Sequence, residues 1–66
     1  MKWRECDCGY EECKAKVRVS THGKYILVEF VTTEGILGEA FFTVANAKLL
    51  LKDLEDAIKK GADADG

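Results

Sequence analysis

The sequence predicts a small α+β domain, an antiparallel β-meander of three strands followed by one C-terminal helix packed on one face. Three observations predict it. Lys14-Ala15-Lys16-Val17-Arg18-Val19-Ser20 alternates polar and apolar residues, the period of a half-buried strand. Two further β-rich runs follow, separated by short glycine-bearing breaks at His22-Gly23 and Thr33-Glu34-Gly35. Then Ala47, Leu50, Leu51, Leu54, Ala57 and Ile58 recur at helical spacing.

The 66 residues make a single domain, 1–66. It divides into an N-terminal hook or fourth strand (1–13), the three-stranded meander (14–44), a helix (45–60) and a flexible polar tail (61–66). A chain this short hides only about 60% of its unfolded surface, so its core is marginal and a staple or partner is expected.

The strand pattern sets a register. With His22-Gly23 as a two-residue loop, Thr21 meets Lys24, Val19 meets Ile26, Val17 meets Val28 and Ala15 meets Phe30. All the apolar partners then share one face, and Lys16 falls opposite Glu29 on the other. For the second hairpin, a three-residue Thr33-Glu34-Gly35 loop puts Gly35 in the left-handed region. It also sets Thr32 against Ile36, Phe30 against Gly38, Val28 against Ala40 and Ile26 against Phe42. A two-residue loop would instead bring Glu39 against Phe30. The helix is expected to start at a Thr43 or Asn46 cap and to stop at Gly61. Its stripe would pack on Val17, Val19, Ile26, Val28, Phe30, Ile36 and Phe42, leaving Leu49 off the stripe.

One helix covers one sheet face. The opposite face carries the cross-strand rows Ser20/Tyr25/Thr43, Arg18/Leu27/Phe41, Lys16/Glu29/Glu39 and Lys14/Val31/Leu37. Tyr25, Leu27, Val31, Leu37 and Phe41, beside Arg18, form a face too apolar for a solvated monomer, so they are the candidate binding face. Its occupant is residues 1–13 folding back through Trp3 and Tyr10, a second copy, or a ligand. Single-stranded nucleic acid would stack on Tyr25 and Phe41 with Arg18 and Lys16 nearby. Glu29 and Glu39 on the same face, and a net charge of −2, oppose phosphate. Strands followed by a C-terminal helix, with a Thr at the helix start, resemble the topology of the PC4-like single-stranded-DNA-binding family. That resemblance implies the nucleic-acid alternative.

Cys6, Cys8 and Cys13 form Cys-x-Cys-x₄-Cys, and Cys8-Gly9 is similar to half a zinc knuckle. With His22, the single histidine, they would make a Cys₃His zinc site. The alternatives are reduced packing thiols, or one disulfide with a thiol left over.

No P-loop, dinucleotide fingerprint or His-Glu-x-x-His is present. Gly35-Ile36-Leu37-Gly38 lies in a hairpin, unlike the helix-joining clamp of KH domains. The expectation is a non-enzymatic module that binds another protein, as a homodimer. Short acidic chains of this kind are typical of phage and mobile-element inhibitors of host machines such as CRISPR effectors. Glu5, Asp7, Glu11 and Glu12 are then the acidic contacts for a basic partner. No apolar run spans a membrane and no signal-peptide core follows Met1-Lys2-Trp3-Arg4, so no membrane partner and a cytoplasmic location are expected.

Overall fold

The computed structural model describes residues 2–65. Four strands, β1 (Arg4–Glu5), β2 (Lys16–His22), β3 (Tyr25–Val31) and β4 (Leu37–Phe42), precede one helix, α1 (Val44–Asp65). The strands form one antiparallel sheet in the order β1-β2-β3-β4. The meander and C-terminal helix predicted from the pattern are present, and the N-terminal segment supplies the fourth strand. Arg4 pairs with Val17 and Glu5 with Lys16, and the Cys6 N–H extends the ladder by donating to the Ala15 carbonyl at 2.9 Å.

The second hairpin has the expected register. Ile26 pairs with Phe42, Val28 with Ala40 and Phe30 with Gly38. Gly35 has φ 86°, and the Thr32 N–H donates to the Ile36 carbonyl. The Phe30 ring occupies the space that a Cβ on Gly38 would need.

The first hairpin is displaced by two residues from the expected register. His22 pairs with Tyr25, Val19 with Val28, Val17 with Phe30 and Arg18 with Glu29. The turn residues are therefore Gly23 and Lys24. The physical reason lies in the glycine. Gly23 has φ 61°, and no residue other than glycine has positive φ among the described residues. A two-residue turn with glycine first needs positive φ only there, the type II′ pattern. The His22-Gly23 loop would have forced histidine to positive φ as well. A two-residue shift keeps every side chain on its face, so the face assignment survives. The partner of Glu29 becomes Arg18 in place of Lys16.

The helix begins one residue earlier than expected and does not stop at Gly61. Thr43 is the cap, its Oγ1 accepting from the Asn46 N–H at 3.1 Å. Gly61 keeps helical φ and α1 continues to Asp65, since a glycine ends a helix only when it turns left-handed. Of the predicted tail, 61–65 is thus helical and Gly66 lies outside the described residues.

Among the described residues, α1 runs closest to β3 and β4. Ala47, Leu50, Leu51 and Leu54 face Val19, Ile26, Val28 and Phe42 across a gap of about 160 Å³. The expected packing over Val17, Phe30 and Ile36 is not made. Ile36 is 64% exposed, and on the helix Leu54 is 56% and Ile58 63% exposed. None of the described residues is fully buried. Among the described residues, no strand lies beside the outer edge of β4, which carries Glu39.

Candidate functional site: the open sheet face and a cysteine hook

Two places draw polar and aromatic chemistry together. The first is the sheet face opposite α1. Pairing of β1 with β2 brings Trp3 level with Arg18 on this face. The Trp3 ring lies 4.6 Å from the Arg18 guanidinium carbon and 4.9 Å from Lys16 Nζ, both within cation–π range. Arg18 also donates through two nitrogens to one Glu29 oxygen, at 2.7 and 3.1 Å. Trp3, Arg18 and Glu29 thereby hold one another. This is why the polar residues of β2, Lys16, Arg18 and Ser20, are half-buried while Val17 and Val19 on the helix side are exposed.

The rows across this face follow the corrected register. They read Ser20/Leu27/Phe41, Arg18/Glu29/Glu39 and Lys16/Val31/Leu37. At the hairpin end His22 and Tyr25 both make edge contacts with the Phe41 ring, at 5.4 and 6.5 Å between centroids. Tyr25, Leu37 and Phe41 remain exposed, while Leu27 and Val31 are half-buried. The N-terminal segment brings Trp3 over Lys16 and Arg18 at the β2 side of this face, while Tyr10 is 80% exposed. The seat of Trp3 on Arg18 and Lys16 was not legible in the sequence, because residues 1–13 show no alternation from which to read a register.

The second place is the hook between Cys6 and Ala15. The chain leaves β1 at Cys6, bends at Cys8 and turns through Gly9, whose φ is 88°. It closes with the Cys13 N–H donating to the Tyr10 carbonyl at 3.1 Å. Sulfurs one residue apart point the same way in a strand but stand too far apart to share an ion. The bend removes that separation, and the Sγ atoms of Cys6, Cys8 and Cys13 all lie within 4.8 Å of one another. Thr33, from the β3–β4 loop, clamps the neck: its hydroxyl donates to Cys13 Sγ at 3.4 Å and accepts from the Lys14 N–H at 3.4 Å.

These contacts divide the thiols. The Thr33 hydroxyl, the Ala15 N–H and the Cys8 thiol stabilise the Cys13 thiolate and bring its pKa down to about 7. At Cys6 the Cys8 N–H favours the thiolate, but proton sharing with the Cys8 and Cys13 side chains outweighs it and raises the pKa.

His22 does not join this cluster. It sits at the far end of β2, seven strand steps from Ala15, or roughly 23 Å. The Cys₃His combination is therefore not assembled within one chain. The acidic candidates Glu5, Asp7, Glu11 and Glu12 are all exposed on or beside the hook.

No protein-family model matches the sequence, and no curated protein or solved structure matches it significantly. The likeness of element order to the PC4-like family gains no support from these comparisons.

Proposed function

We propose that the chain is a non-enzymatic protein-binding module that works as a homodimer. The observation that carries this reading is the amount of surface left open, with Val17, Phe30, Ile36, Leu54 and Ile58 all exposed. The chain exposes 5812 Å², whereas a compact monomer of its mass exposes roughly 4,200 Å². The excess of roughly 1,600 Å² per chain is of the size that a permanent dimer interface removes from each partner. The radius of gyration agrees, at 13.8 Å against about 11 Å for a compact domain of this length. A second copy laid on the helix side covers Val17, Phe30, Ile36, Leu54 and Ile58 and gives both chains a core. The opposite face, with Arg18, Tyr25, Leu27, Val31, Leu37 and Phe41, stays open to a partner protein. Inhibition by occupying a surface of a larger complex suits such a module, with Asp7, Glu11 and Glu12 meeting a basic partner.

Light scattering at micromolar concentration tests the first step. The expected mass is twice the 7.3 kDa of one chain. A well-folded monomer under those conditions would overturn the reading.

A second reading, single-stranded nucleic-acid binding, is favoured by the seat of Trp3 between two cations. Against it, Glu29 engages Arg18 and withdraws it from phosphate. A salt-dependent shift with a single-stranded oligonucleotide would support this alternative, and its absence at low salt would remove it.

A further inference from the structure

We infer that Cys6, Cys8 and Cys13 hold one zinc ion through three thiolates, with the fourth position open to solvent or an external donor. Four features of the hook point there. Three sulfurs converge within 4.8 Å. Around a tetrahedral zinc with bonds of about 2.3 Å, sulfurs stand about 3.8 Å apart, so only a small contraction separates the present cluster from a bound one. Disulfide chemistry accounts for two of the three sulfurs and leaves the third unexplained.

The hook also has no apolar reason to fold as it does. Residues 7–12 are all exposed, and Tyr10 contributes no packing. What joins its ends is the Cys6–Ala15 ladder bond, the Thr33 clamp and the sulfurs themselves. The donors aimed at the sulfurs are of the kind that surround metal thiolates. The Thr33 hydroxyl donates to Cys13, an outer contact that orients a ligand and spreads its charge. Finally, Asp7, Glu11 and Glu12 make the hook acidic, a local field that attracts a cation to the three sulfurs.

The open fourth position follows from the donor set. Among the described residues no histidine, aspartate, glutamate or further cysteine places a ligand atom with the three sulfurs. Zinc with three protein ligands takes water or an outside donor as the fourth. On binding, the ion replaces the thiol protons, which leave to solvent, and no electron transfer is involved. The site does not depend on the dimer, because all three sulfurs come from one hook.

The test is a titration of the reduced, metal-free full chain with Co²⁺ as a spectroscopic substitute for zinc. One ion per chain is expected, with thiolate-to-metal charge transfer in the near ultraviolet and visible bands of a four-coordinate site. Zn²⁺ should then displace it. Added imidazole should move the visible bands by entering the fourth position. His22→Ala should titrate as the native chain does, while Cys8→Ser and Cys13→Ser should weaken binding by about tenfold or more. Absence of charge transfer in the native chain overturns the proposal, whether or not the variants fold. Equal loss in His22→Ala and the cysteine variants, or visible bands that imidazole leaves unmoved, overturns the open fourth position.

Discussion

Gly38 and Phe30 show how one residue fixes its neighbour. The ring fills the space over the bare glycine, so Gly38→Ala must displace the ring or bend β4. Overpacking of this kind costs about 1–3 kcal/mol, and a lower urea midpoint with an unchanged slope would register it. This pair was legible in the sequence because a three-residue loop ending in glycine leaves one sensible register. The cysteines were legible as a group by their spacing. That His22 lies far from them was not, since its place at the hairpin was readable but the path of residues 1–13, which show no alternation, was not. The hook thiols make a second residue-scale prediction. In the metal-free, reduced protein, alkylation of Cys13 should rise through an inflection near pH 7, and that of Cys6 through one above its ordinary range. The linkage sign follows, because the folded pKa of Cys13 is depressed. Its thiolate contacts favour folding fully above pH 9 and lose that effect as pH falls through about 7. Thr33→Val should move the Cys13 inflection upward, as read by mass spectrometry across a pH series.

Among the elements, α1 owes its start to Thr43 and its length to the absence of any stop. Removing the cap by Thr43→Ala is expected to cost about 1 kcal/mol and to lower the thermal midpoint by circular dichroism. The β2–β3 hairpin shows where pattern reading runs out. Alternation fixes which face a side chain takes, but two registers that differ by two residues satisfy it equally. The choice falls to the turn, where Gly23 alone can take positive φ without strain. Gly23→Ala, with open space around it, should therefore destabilise through the backbone alone, by about 1 kcal/mol. The two-residue shift has one visible chemical consequence. It gives Arg18, stacked on Trp3, a counter-ion in Glu29, where the expected register sets it in a row with Leu27 and Phe41 that offers none.

At the scale of the whole molecule, the sheet and helix are amphipathic but do not cover each other, and sequence alone predicted a single-chain core between them. The stripe and the sheet face were both legible. How far the helix would lie over the sheet was not, because that depends on its exit angle after Phe42. If a second copy closes the helix side, the thermal midpoint should rise with protein concentration, as mass action requires. Leu54→Glu should then yield a monomer with a lower midpoint, while Phe41→Glu, on the opposite face, should leave the association intact. Light scattering on the two variants separates these outcomes. The bare outer edge of β4 has a different consequence. Its run Leu37-Gly38-Glu39-Ala40-Phe41-Phe42 contains one charge and no proline, the composition of a segment that adds to fibrils when its edge is free. Glu39 is then the gatekeeper of this strand, and its carboxylate keeps like edges apart. Glu39→Gln should leave the folded protein almost unchanged yet raise turbidity and thioflavin fluorescence during refolding from urea.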